Sequence, residues 1–259
     1  TSPVILAAFT AGAAALATFV LWERRTDAPM VPPHFFGSRS FDFANLAAML
    51  MSFGMFGAIF LLVQFLQFAL GYSPLEAGLS ILPWTLAPIF VAPVAGALSD
   101  RIGGGLLMGA GLSLQAIGLA WLGLISSPTV TYAEMVVPFI ISGIGMGLFF
   151  APMANVILSS VRPSEEGKAS GASSAMRELG GVFGVAVLAA IFVREGSYQS
   201  PQAFTDGMVP AVLVGAAFVA LGAAAAFLIP RAEERPEELA EPAVGGRPAA
   251  TAAYATADE

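Results

Sequence analysis

Residues 96–103 read Gly-Ala-Leu-Ser-Asp-Arg-Ile-Gly, a charged turn between two long apolar stretches. An apolar helix of the buried type is expected to run into this turn and a second one to leave it. Gly96 and Gly103 allow a short turn and close packing of the neighbouring helices. Asp100 is suited to capping a helix end or to accepting charge-assisted hydrogen bonds. Arg101 is suited to keeping the turn in water and to pairing with a carboxylate or with helix C-terminal carbonyls. Little else in the chain is charged, so the reading of the flanking stretches hangs on this turn.

The 259 residues are 57% hydrophobic and only 11% charged, with a mean hydropathy of +0.79. Soluble domains carry about 25% charged residues, so this composition belongs in lipid rather than water. Cysteine is absent, which excludes disulfides, thiolate metal sites and cysteine nucleophiles. The single histidine, His34, falls in a loop without a second histidine to complete a metal set. Of the net charge of −7, residues 230–259 carry −4, from seven acidic residues against Arg231, Arg235 and Arg247. That Pro-, Ala-, Gly- and Glu-rich tail reads as disordered and solvated. No basic patch is present, so nucleic acid is not an expected partner.

A bilayer core about 30 Å thick needs roughly 20 apolar residues of helix. Seven stretches qualify, near 3–22, 43–70, 75–98, 105–126, 134–158, 171–193 and 208–229. They do not alternate apolar and polar positions as the strands of a membrane barrel would. The expected fold is therefore an all-α membrane protein with seven transmembrane helices. Lys and Arg favour the cytoplasmic side. One set of loops holds Arg24, Arg25, Arg39, Arg101, Arg162, Lys168, Arg231, Arg235 and Arg247, and the other only Arg194. The loops at 23–42, 99–104 and 159–170 and the tail are thus expected in the cytoplasm, with 71–74, 127–133 and 194–207 outside. The domains expected are a first helix at 1–22, a cytoplasmic loop at 23–42, a six-helix bundle at 43–229 and an acidic tail at 230–259.

Local signals refine this plan. Ser73 is placed to cap a helix that Pro74 opens. Asp42, Glu76 and Glu134 fall near helix starts, where carboxylates suit the helix dipole. Gly143 and Gly147, and Gly180 and Gly184, form GxxxG pairs that let membrane helices approach closely. Pro83, Pro88 and Pro93 recur in the third stretch as kink sites, tolerated where protein or a cavity satisfies the freed carbonyls.

The turn at 96–103 resembles the G-x-L-x-D-R-x-G loop signature of the major facilitator superfamily. Leu70-Gly71-Tyr72-Ser73-Pro74-Leu75-Glu76-Ala77-Gly78, Leu82-Pro83-Trp84, Gly143-x-Gly145-x-Gly147 and Gly167-Lys168-Ala169-Ser170-Gly171 with Arg177, Gly180 and Gly181 are similar to strings of its fourteen-helix drug:proton antiporters, the EmrB/QacA group. The resemblance covers nearly all of residues 3–230. It implies a linker-type helix followed by the six-helix C-terminal bundle of a facilitator fold, with the N-terminal bundle absent from this chain. It also implies proton-driven efflux, with the proton gradient as energy source, no cofactor, and the proton-coupling residue in the N-terminal half. The sequence departs from the signature where Gly104 and Gly105 replace basic residues, which weakens any latch built on several positive charges.

Such transporters hold their cargo near the midplane, between two bundles. The candidate linings are Gln64, Gln67, Trp84, Thr85, Gln115, Ser142, Phe149 and Asn155, with Phe150 beside them. A buried amide in lipid is costly unless paired, which favours a cavity or an interhelical position. Arg177 and Glu178 are the deepest charges and are read as a gate, a proton relay or structural anchors. Adjacent helix positions point in different directions, so separate partners are expected for them. Apolar walls with scattered amides and aromatics suit hydrophobic or amphipathic cargo. The alternatives are a facilitator-type permease for another solute and a non-transporting membrane scaffold or sensor. An intramembrane enzyme is the least favoured, and the expectation is that the chain is not an enzyme. It is expected to sit in the plasma membrane with lipid, cargo and the N-terminal bundle as partners, and to begin inside a larger protein.

Overall fold

The computed structural model describes residues 3–23, 25–26 and 29–230, with backbone only for Val4, Ile5, Phe9, Pro33 and Asp100. The tail from 231 onward, with Arg231, Arg235 and Arg247, and the side chains of Arg24 and Asp100 lie outside that description. Eight α-helices occur among the described residues: α1 (Pro3–Glu23), α2 (Arg39–Gln64), α3 (Pro74–Ser80), α4 (Leu82–Ile102), α5 (Gly104–Ile125), α6 (Tyr132–Ser159), α7 (Glu166–Glu195) and α8 (Pro201–Phe227). They make seven spans long and apolar enough to cross a membrane, because α3 and α4 share one span. Hydrocarbon offers backbone groups no water, and helices pair most of theirs within the span.

The helix starts follow the caps. Ser73 Oγ accepts the Glu76 N–H at 3.3 Å while Glu76 accepts the Ser73 N–H at 2.8 Å, which closes a capping box. Glu134 likewise accepts from the Thr131 N–H at 2.7 Å and from its hydroxyl at 2.8 Å. The third span breaks at Ile81, and Pro83 then occupies the first turn of α4, where its missing N–H costs nothing. Pro88 and Pro93 remain inside α4.

Several boundaries differ from the sequence reading, and α4 continues to Ile102 through residues expected as loop. α2 starts at Arg39 and ends in a π-helical turn over Phe65–Ala69. α7 starts at Glu166 rather than 171, and α8 at Pro201 rather than 208. In both cases a polar first turn extends the helix beyond its apolar centre, and hydropathy marks only that centre. Ser200 Oγ caps α8 by accepting the Ala203 N–H at 3.1 Å.

α2 packs on α7 and α8, α5 on α6 and α8, and α4 on α6. α1 is exposed along its described side chains apart from Glu23, and no substantial packing on another helix occurs among the described residues. The GxGxG string of α6 serves two neighbours. A Cβ on Gly143 or Gly147 would meet α4, at Trp84 and Ala87 or at Pro88 and Val91, whereas one on Gly145 would meet α5 at Gly111 and Gln115. Gly180 and Gly184 of α7 lie against the Met49 and Phe53 carbonyls of α2.

The loops sort to two ends. At one, Lys168 donates to the Pro29 carbonyl at 2.8 Å, and His34 Nε2 lies 3.2 Å from Glu165 Oε2. Gly105 packs there on Ile229, so the end of α8 shares this end. At the other, Phe68, Phe192, Tyr198 and Phe204 cluster in edge-to-face and tilted contacts, with ring centroids 4.6 to 5.5 Å apart. The basic loops therefore gather at one end.

Gly103 alone links α4 to α5, at φ 94° and ψ 133°. A side chain there is strained by about 1–3 kcal/mol. Gly103→Ala should lower the thermal unfolding midpoint in detergent relative to Gly78→Ala, whose Cβ meets nothing. Equal midpoints for the two variants would contradict this backbone assignment.

Candidate functional site

Two sets of residues carry polar chemistry inside the bundle. The first lies at mid-depth, where Trp84, Ser142 and Gln115 each stand about ten residues, or roughly 15 Å of helix, from the aromatic end. Trp84 is buried and stacks on Phe139 with centroids 6.2 Å apart. Its indole N–H has no acceptor among the described residues. Ser142 Oγ faces Gly118 across the α5–α6 contact, and Gln115 backs onto Gly145. Neither the Ser142 hydroxyl nor either amide atom of Gln115 has a hydrogen-bond partner among the described residues. About two turns of α6, residues 139–145, therefore bring these three candidates to one level, inside tight helix contacts.

The other cavity candidates lie elsewhere. Gln64 and Gln67 sit at the aromatic end of α2 and its π turn and donate to the Phe60 and Val63 carbonyls at 3.0 and 3.3 Å. Gln64 also accepts from the Tyr198 hydroxyl. Thr85 is exposed at the start of α4, with its hydroxyl 3.4 Å from the Leu82 carbonyl. Phe149 is fully buried where α5 meets α6 and stands 5.6 Å from Phe150, edge to face. Asn155 is exposed. These five do not converge on the mid-depth group.

The loop signature occupies the end of α4 and its turn. Gly96 is in ordinary contact with Ala151. Arg101 is exposed at the foot of a surface depression whose other lining residues are Pro93, Val94, Ala97 and Leu98. The replacement of the signature's basic residues has a steric reason here. A Cβ on Gly104 would strike Val156, and one on Gly105 would strike Ile229 and the Ala226 carbonyl. The start of α5 is wedged between α6 and α8, and a long basic side chain has no room.

The second polar set lines a cleft of about 210 Å³ between α6 and α7, toward the basic end. On the α7 side stand Ser170, Ser173, Ser174 and Arg177. On the α6 side stand Phe150, Met153, Ala154, Ile157 and Leu158. The Arg177 guanidinium carbon is 5.5 Å from the Phe150 ring centroid, a cation–π distance. Arg177 and Glu178 form no ion pair with each other, and Glu178 is exposed on the adjoining face of α7. Sequence reasoning singled out Arg177 and Phe150 but missed the serines. The signal was the recurrence of polar residues at i, i+3, i+4 and i+7 ending on Arg177, one stripe of α7.

The chain is similar in sequence to known proteins. The family model described as Major Facilitator Superfamily matches residues 44–256. The cephamycin export protein CmcT of Amycolatopsis lactamdurans is 33% identical over 192 residues, 73% of this chain and 39% of that protein. The multidrug resistance protein Stp of Mycobacterium tuberculosis is 36% identical over 175 residues, 68% of this chain and 32% of that protein. The multidrug efflux pump LfrA of Mycolicibacterium smegmatis is 32% identical over 225 residues, 87% of this chain and 44% of that protein. The chain thus spans less than half the length of these curated relatives.

The mid-depth orphans make a direct prediction. A buried amide without partners costs about 1–3 kcal/mol, so Gln115→Leu should leave the unfolding midpoint unchanged or raise it. A midpoint several degrees lower in a detergent melt would show that the amide is paired.

Proposed function

Because the chain belongs to the major facilitator superfamily, we propose that it is the C-terminal part of a proton-coupled exporter of hydrophobic or amphipathic drugs or metabolites. That family is one of transporters rather than enzymes. The relatives matched over the bundle carry names of export and multidrug resistance, which supports the reading of efflux. Proton coupling rests on family resemblance, and its acidic residue is assigned to the N-terminal half. The reading places the protein in the plasma membrane with the basic end and the C-terminus in the cytoplasm, following the positive-inside rule.

One observation carries the proposal. Of the six bundle spans, α3–α4 and α7 bury the smallest share of their residues. Phe90 and Val94 are 76% and 65% exposed on α4, and Val182 and Phe183 are 65% and 58% exposed on α7. Alternating access requires one bundle to rock against another around a central site. In this reading α4 and α7 are the surfaces against which the N-terminal bundle of the same transporter moves. The mid-depth residues Trp84, Gln115 and Ser142 then flank the cargo path, and Arg101 meets the second bundle at the cytoplasmic edge. Arg177 and Glu178 stand at its cytoplasmic half, where a gate would act.

Expression of the full-length protein in a drug-sensitive bacterial host tests this. Ethidium accumulation should fall several-fold, and a protonophore should restore it. Ethidium that only equilibrates, with no effect of the protonophore, would favour a facilitator-type permease. Accumulation identical to the empty host would count against transport of this class of solute.

A further inference from the structure

The cleft between α6 and α7 has unlike walls. The α7 wall presents three hydroxyls and a guanidinium on one helical stripe, and the α6 wall is entirely apolar. The two polar groups that are not exposed, Ser173 and Arg177, lack polar partners among the described residues. Ser173 is 4% exposed, and its hydroxyl makes no hydrogen bond among the described residues. Arg177 is half-buried within a span and forms no ion pair among the described residues. A guanidinium offers five donors in a planar fork that matches carboxylate and phosphate. The Phe150 face takes part of its charge but accepts none of those hydrogen bonds in its plane. An arginine inside a membrane segment is costly unless paired.

We propose that this cleft binds an amphipathic anion, a single carboxylate- or phosphate-type headgroup on an apolar body. The Arg177 fork and the Ser173 hydroxyl hold the headgroup, and Phe150, Met153 and Ile157 hold the adjoining part of the body. At about 210 Å³ the cleft is smaller than the roughly 300–1,000 Å³ of a site that encloses a whole drug. It therefore takes the headgroup end, and the rest of the molecule extends along the apolar helix faces. The nearest carboxylate in sequence, Glu178, is exposed and is not part of the lining. A transported solute and an anionic membrane lipid offer the same chemistry, and the role of cargo site rests on the exporter reading above.

The test is binding by the intact protein in phosphatidylcholine nanodiscs. The probe is a dansyl-labelled undecanoic acid, with its methyl ester as the uncharged control. A charge-assisted hydrogen bond to a headgroup predicts that the acid binds about 10-fold or more tightly than the ester. Arg177→Gln should erase that preference, Arg177→Lys should keep part of it, and Ser173→Ala should reduce it. Unchanged ester binding in each variant reports that the bundle is intact. Competition by added phosphatidylglycerol would support the anion site with lipid as its occupant. Absence of competition with the acid preference retained would support it with a solute. Equal affinity for acid and ester, or a preference that survives Arg177→Gln, would overturn the proposal. Occupancy here is read separately from pumping. Lost export with the acid preference intact would defeat the exporter reading alone, and export without that preference would defeat the cleft alone.

Discussion

The Phe53 carbonyl of α2 lies against Gly184 of α7, and the Met49 carbonyl lies against Gly180 one turn away. On the other side of α2, Gly54 meets the backbone of Gly215 in α8. Lipid tails are as apolar as the side chains they surround, so hydrophobic burial gives these helices little reason to associate. Close backbone approach at small residues supplies the dispersion contacts that do. The bundle depends on that closeness, and a side chain at any of these glycines would drive two helices apart.

The same constraint decides which surfaces stay open. α6 spends Gly143 and Gly147 on α4 and Gly145 on α5, so its two opposite faces are closed by neighbours. α5 begins between α6 and α8 and has no room for the basic residues that usually follow the signature turn. α7 commits its glycine face to α2, and only a thin contact joins it to α6. The gap left between α6 and α7 is where the serine stripe and Arg177 gather. Tight packing in one direction thus opens the cleft in another.

Much of this plan is legible in the amino-acid sequence. The seven apolar runs mark the spans, Ser73 and Glu134 mark helix starts, and the paired glycines mark the contacts. The extra turns at 166–170 and 201–207 escape a hydropathy reading because they are helical yet polar. The docking of residues 29–34 on 165–168 escapes it because a histidine–glutamate contact across 131 positions has no local signature. Single residues of the site divide in the same way. Gln115 and Trp84 announce themselves as polar groups in apolar runs. Ser173 does not, because serine in a membrane helix commonly returns its hydroxyl to the carbonyl four residues earlier. Only the structure reveals that this one has no partner among the described residues.

The account stands or falls on the bilayer crossing that puts the basic loops on one side. The chain contains no cysteine, so single thiols report position without background. Ser164→Cys, in the turn before α7, and Gln199→Cys, in the turn after it, can each be labelled in intact cells with a membrane-impermeant maleimide. The account predicts that position 199 labels at once and that position 164 labels only after the membrane is permeabilised. Labelling of position 164 in intact cells, or equal labelling of both, would contradict it.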